Sequence, residues 1–191
     1  MEKKVPIEVS ARHVHLSLAD TEALFGAGHE LKKMRQLTQP SDFAAEETID
    51  IKLGDRILKK VRVVGPARVQ TQVELSMTDA FLLGVNAPVR ISGDIKGSIG
   101  ATLVGPNGEV VIGEGIIVAA RHLHCATDEA KALRLKNGDM ISVKVFGKRE
   151  ITFHNVAVRS GDGYKLCLHL DTDEGNAAGI AKQEEGVIVK G

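Results

Sequence analysis

Apolar and polar residues alternate along much of the chain, and turn-forming residues break the alternation at short intervals. From Ile49 to Val64 (IDIKLGDRILKKVRVV) a period of two runs through Gly54-Asp55, which predicts a hairpin. Val69 to Ser76 (VQTQVELS) keeps that period. Val69, Thr71, Val73 and Leu75 fall on one strand face, and Gln70, Gln72 and Glu74 on the other. Pro106-Asn107-Gly108, Asn137-Gly138-Asp139 and Gly161-Asp162-Gly163 carry further hairpin signals. Many short strands at this spacing predict barrels or sandwiches. Helical signals are few. Ser17-Leu-Ala-Asp20 reads as a capping box opening a helix through Phe25, closed by Gly26. Thr127 reads as the cap of a helix over Asp128 to Leu135, with two acids in its first turn to complement the dipole. The acidic run Asp171-Thr-Asp-Glu-Gly-Asn176 lacks the EF-hand pattern for calcium and reads as a cap leading into Ala177 to Ala181.

One segment occurs twice. Ser10-Ala-Arg-His-Val-His15 matches Ala119-Ala-Arg-His-Leu-His124, 109 residues downstream. Each copy follows a strand-like stretch and precedes a short capped helix. Repetition of a whole strand–RHxH–helix unit predicts two similar subdomains meeting at a shared site.

Composition narrows the partners. Twenty-five basic residues balance twenty-five acidic ones, so the basic excess of a nucleic-acid binder is missing. Five Phe and one Tyr leave few surfaces for stacking on bases. Two cysteines, Cys125 and Cys167, make no disulfide framework and fit a reducing compartment. No run of about 18 apolar residues and no signal peptide is visible, which predicts a soluble, cytoplasmic protein.

The repeated His-x-His points both imidazoles to one side of an extended strand, where they can chelate one metal. His13, His15, His122 and His124 are therefore candidate zinc ligands. Each pair needs a further donor. Glu74 and His169 are available, although Glu74 equally suits a solvated outer barrel face and His169 a buried histidine bonded to a backbone carbonyl. His29 and His154, in polar loop-like settings, read as surface residues. Cys125 faces away from its neighbour His124 and reads as packing. Arg12 and Arg121, each just before a His pair, serve either the fold or an anion. Arg68, after Gly65-Pro-Ala, carries a guanidinium that matches phosphate, or pairs with a nearby surface acid. Walker A, G-x-G-x-x-G, G-x-S-x-G and H-E-x-x-H sequences are all absent, so no serine or cysteine nucleophile is signalled.

The blocks EVSARHVHLS (8–17), LTQPSDFAAEETI (37–49), VVGPARVQTQVELSMTDAFLLG (63–84), APVRISGD (87–94), AARHLHCA (119–126) and LHLDTDEGNAA (168–178) resemble the phosphate propanoyltransferase family. These are the PduL-type phosphotransacylases associated with bacterial microcompartments. The resemblance covers nearly the whole chain. It implies a mainly β fold of two small β-barrel subdomains with short capping helices and an active site between them. One subdomain would span 12–119, and the other 120–191 with the N-terminal strand 1–11. It implies two zinc ions, one held by His13, His15 and Glu74, the other by His122, His124 and His169. Arg68 would bind phosphate, and Ser10, Arg35, Arg62 and Asn176 would line a coenzyme A pocket. The implied reaction converts propionyl-CoA or acetyl-CoA and phosphate to acyl phosphate and CoA, by direct attack and without an acyl-enzyme. Position 125 departs from the pattern, with Cys in place of Met. Only eight residues precede Val9, too few for the amphipathic targeting helix of encapsulated relatives, which predicts a free cytoplasmic enzyme. A homodimer is the expected assembly. A dinuclear zinc hydrolase and a structural zinc protein are the competing readings; a structural site would be closed and cysteine-rich. Metal identity and the choice between acetyl and propionyl stay open, since one methylene is worth only about 1–3 kcal/mol in a pocket.

Overall fold

Short strands with one apolar face cannot stand alone, and here they close on themselves twice. The computed structural model describes residues 3–180 and 184–189. In chain order it begins β1 (Lys3–Ser10), β2 (His13–His15), α1 (Leu18–Phe25), β3 (Lys33–Gln36), β4 (Phe43–Leu53), β5 (Arg56–Gly65) and β6 (Gln72–Leu75). There follow α2 (Met77–Leu83), β7 (Val89–Arg90), β8 (Ile99–Val104), β9 (Glu109–Ala119), β10 (His122–Cys125) and α3 (Thr127–Leu133). Last come β11 (Met140–Val145), β12 (Ile151–Ser160), β13 (Cys167–Asp171), α4 (Thr172–Ala178) and β14 (Glu184–Val189). The chain forms two units, the first of Met1–Ala11, Thr38–Pro40 and Ala120–Gly191, the second of Arg12–Leu37 and Ser41–Ala119.

The first unit is a closed six-stranded barrel in the order β1-β13-β10-β12-β11-β14. The second closes in the order β9-β6-β2-β5-β4-β8, with β3 added beside β4 and β7 beside β9. Strand senses match step for step. In each barrel the first pair is parallel, the second antiparallel, the third parallel and the remaining three antiparallel. The protein is thus mainly β, and the repeated motif marks two copies of one barrel. In this correspondence β1 matches β9. Each leads directly into a His-x-His strand of one unit while closing the barrel of the other.

Each barrel has its own apolar interior. Val14, Ile49, Ile51, Val63, Val73, Leu103 and Ile116 fill the second unit. Ile7, Leu123, Val143, Val156, Leu168 and Leu170 fill the first. Val14 and Leu123, the central residues of the two His-x-His segments, are fully buried there. Strand alternation therefore turns the flanking histidines to the opposite face.

Several local expectations are corrected. The strand expected over Val69–Ser76 is formed only by Gln72–Leu75, and Val69 is 96% exposed. The Asn137–Asp139 turn joins α3 to β11, and Gly161–Gly163 joins β12 to β13, which are separated by β10. Neither is a hairpin; the β11–β12 hairpin turns instead at 146–150. Thr127 is the first residue of α3, and Ala126 holds the cap position, where the Glu129 carboxylate accepts its N–H at 2.7 Å. Helix α4 starts at Thr172, capped by Asp171, and stops before Gly179 in the left-handed region. Of the segment expected to be helical there, Ala181 lies outside the described residues. Among the described residues no helix is long and apolar enough to cross a membrane.

Candidate functional site

Register brings the third donor to each histidine pair. In the second unit β2 lies antiparallel to β6, with His13 opposite Glu74 and His15 opposite Gln72. In the first, β10 lies antiparallel to β13, with His122 opposite His169 and His124 opposite Cys167. Side chains of facing residues on a sheet share one face. The result is two triads, His13–His15–Glu74 and His122–His124–His169, whose donor atoms all lie within 4.8 Å of one another.

In the first triad His13 Nε2 is 3.6 Å from Glu74 Oε2, and His15 Nε2 is 3.8 Å from Oε1. His15 Nδ1 lies 3.1 Å from the Val64 carbonyl, which can only accept. The proton therefore sits on Nδ1, and Nε2 presents its lone pair to the triad. Burial, then the neighbouring His13 and Arg68, hold the His15 pKa well below its ordinary value, against the pull of Glu74 and the Val64 carbonyl. That keeps the ring in the neutral, metal-binding form.

Glu74 is buried at 8% exposure, not solvated on an outer face. Its Oε1 accepts from Gln72 Nε2 at 2.6 Å and from Ser92 Oγ at 2.8 Å. The Ser92 hydroxyl in turn accepts from Gln72 Nε2 at 2.9 Å and from Arg68 Nη1 at 3.4 Å. One donor and two acceptor positions are thereby used. Arg68 is thus wired to the triad through Ser92. Its other terminal nitrogen is 3.8 Å from Asp42 Oδ2, and its backbone N–H donates to Leu16 at 2.8 Å.

The second triad is built from aromatic packing as much as hydrogen bonds. The His122 and His169 rings stack at 5.1 Å, and Tyr164 stacks on His124 at 4.2 Å. His122 Nδ1 lies 2.8 Å from the Ala120 carbonyl, which again assigns Nε2 to the triad. Gln39 Nε2 is 3.2 Å from His169 Nε2, and Glu8 Oε2 is 3.7 Å from His169 Nδ1. A third donor group, Glu8–Cys167–His169, shares His169 with this triad. Burial, helped by the Glu8 charge, pushes the Cys167 thiol up to about 12, although the Glu8 backbone and Lys165 oppose the shift. With no metal bound, a thiol at that value stays protonated near neutrality.

Both triads fit zinc. His₂Glu and His₃ are donor sets of catalytic zinc, which keeps a fourth position for water or substrate. Neither resembles the closed, cysteine-rich structural type.

The remaining candidates are placed as follows. Arg12 pairs with Asp79 and Arg121 with Glu174, each at 2.6 Å. Cys125 is fully buried against Ala130 and Val158. His29 is tied to Glu47 at 2.8 Å and stacked on Phe25, so it is more ordered than a surface residue need be. His154 is exposed and bonded to Ser142. Ser10, paired in register with Asp171, and Asn176 on α4 belong to the first unit, Arg35 and Arg62 to the second. Arg35 is exposed on β3, while Arg62 donates to the carbonyls of Ala45 and Glu46 at 3.0 and 2.8 Å. Sequence reasoning passed over Gln39, Gln72, Ser92 and Tyr164. Gln39, Gln72 and Ser92 lie within the blocks that resemble the family, and Gln72 also carries its two-residue offset from Glu74 on one strand face; Tyr164 lies outside every block.

Residues 6–181 match the family model for phosphate propanoyltransferase. A phosphate propanoyltransferase of Priestia megaterium is 48% identical over 96% of this chain and 85% of its own. One of Lachnoclostridium phytofermentans is 48% identical over 92% of this chain and 83% of its own. One of Salmonella typhimurium is 45% identical over 93% and 85%. With two triads that could each hold a metal ion on matched barrels and relatives of this closeness along nearly its whole length, the chain belongs to the phosphate propanoyltransferase family and is an acyltransferase.

Proposed function

We propose that the protein converts a short-chain acyl-CoA and inorganic phosphate to acyl phosphate and CoA, reversibly, with one zinc ion held by each triad. The observation that carries this reading is the wiring of Arg68 to Glu74 through Ser92, which sets an anion-binding group beside a metal-binding one. Zinc in such sites, when bound, supplies Lewis-acid polarisation of a thioester carbonyl and stabilises a leaving thiolate.

The chain's own residues supply the rest. His13, His15 and Glu74 hold one ion, and His122, His124 and His169 the other. Arg68 orients phosphate by bidentate hydrogen bonding, and Ser92 fixes the guanidinium. Ser10, Arg35, Arg62 and Asn176 bind the coenzyme A portion. Phosphate oxygen attacks the acyl carbon, the carbon–sulfur bond breaks, and CoA leaves as the thiolate. Holding the reactants together provides a large part of the rate. Neither cysteine suits a nucleophile, since both thiols are buried and burial raises both.

The test is thiol release from propionyl-CoA and acetyl-CoA, with and without phosphate, on zinc-loaded protein and on His13→Ala. Phosphate-dependent release that disappears in the variant is expected. Release that ignores phosphate would identify a thioester hydrolase instead. No release from folded, zinc-loaded protein would leave the metals a structural role.

A further inference from the structure

Both His-x-His strands are very short, three residues in β2 and four in β10, so few ladder bonds hold them in place. Each is preceded by an arginine, and both arginines do the same thing. Arg12 Nη1 donates to Asp79 Oδ1 at 2.6 Å, and Arg121 Nε lies 2.6 Å from Glu174 Oε1. Asp79 and Glu174 occupy one equivalent position. Each is the third residue of the helix that follows the strand carrying the third triad donor, five residues beyond Glu74 and His169 respectively.

The second carboxylate oxygen is also used alike. Asp79 Oδ2 accepts from the Ser76 backbone N–H at 3.4 Å and its hydroxyl at 3.3 Å, while Glu174 Oε2 accepts from the Asp171 backbone N–H at 3.1 Å. One oxygen thus locks the start of a helix, and the other takes the arginine that opens the His-x-His strand. Both carboxylate side chains are largely buried, at 7% and 16% exposure. Arg121 is held further by the His154 carbonyl at 3.2 Å and the face of Phe153. The Arg121 guanidinium, so committed, is poorly placed to serve as a general anion site.

We propose that Arg12–Asp79 and Arg121–Glu174 are a duplicated brace that sets each histidine pair against its third donor. The arginines are positioning residues for the metal triads. The brace clamps the end of a two-strand pair whose facing residues are the ligands, and the same clamp recurs at the same positions in both barrels. The proposal rests on the reading that the triads hold zinc. It does not depend on the substrate.

The experiment measures zinc stoichiometry and chelator-competition affinity, together with the visible spectrum of the cobalt-loaded protein, in backgrounds that leave one triad intact. In His122→Ala protein, Arg12→Met is expected to weaken metal binding about 10- to 100-fold, the range for residues that orient ligands. In His13→Ala protein, Arg121→Met should do the same. Neither arginine variant should alter the affinity of the other unit's triad. Arg12→Lys should recover most of the affinity, because a single N–H donor carries that contact. Asp79→Asn, which keeps the cap and removes the charge, provides a second variant should Arg12→Met fail to fold. Metal affinity and cobalt spectrum unchanged in variants whose metal-free protein melts lower would make the pairs purely structural and overturn the brace. Parent protein that binds no zinc would overturn the triad reading, and the brace with it.

Discussion

The two barrels share a topology, yet their triads are built from different materials. The His13 triad contains a carboxylate and sits in a polar web of Gln72, Ser92 and Arg68. The His122 triad contains only imidazoles and is packed by Tyr164 and its own stacked rings. A divalent ion would keep a net charge of about +1 with the first set and +2 with the second, counting ligand charges. Duplication therefore supplied two frames, and the third donor with its neighbours made them chemically unequal. The web containing Arg68 belongs to the carboxylate triad, so phosphate handling is expected to follow that unit.

The largest test removes one donor from each side. His13→Ala and His122→Ala should each lower zinc content from two ions per chain to one, by elemental analysis of folded protein. Each should reduce acyl transfer by more than about 100-fold, beyond the upper range for residues that only orient ligands. A variant that lost its ion and kept parental turnover would break the view that both triads are needed.

These frames were legible unevenly. The His-x-His copies stood out because both keep the same letters at the same offset from a helix start. Glu74 and His169 differ in type, so no repeat announces them, and only the registers His13↔Glu74 and His122↔His169 make them equivalent. The pairing of β1 with β13 joins residues about 160 apart, which no local period encodes. Helix α2 went unanticipated although Ser76, Asp79 and Gly84 spell a capping box and a left-handed stop. Strand alternation read through Ser76 concealed it. Arg12 and Arg121 were equally open to fold or anion, because their partners lie 67 and 53 residues away in sequence.

A smaller test addresses the polar web alone. Ser92→Ala removes a hydrogen bond to Glu74 and the acceptor of Arg68. Zinc affinity of the His13 triad should fall about 10- to 100-fold, with the His122 triad unchanged, by chelator competition in the single-triad backgrounds. The phosphate KM should rise as well if Arg68 binds phosphate. An equal loss at both triads would show that the web is not private to one barrel.

The smallest effect separates the two helices that follow the His pairs. Ser17 caps α1, its hydroxyl accepting from Asp20 N–H at 3.1 Å, whereas Ala126 at the same place in α3 has no acceptor. Removing such a cap costs typically about 1 kcal/mol, so Ser17→Ala should lower the local opening free energy of α1 amides by that amount in native-state hydrogen exchange. The reverse change, Ala126→Ser, should return much less, below about 0.5 kcal/mol where a full cap is worth about 1 kcal/mol. The donor a new hydroxyl would reach, Glu129 N–H, already has Asp128 Oδ1 at 2.9 Å. Asp128→Ala should free that donor, and in this background Ala126→Ser should recover a full cap. Such non-additivity is expected of neighbours sharing one partner. Equal gains from Ala126→Ser with and without Asp128 would show that the Asp128 carboxylate does not satisfy that N–H in solution.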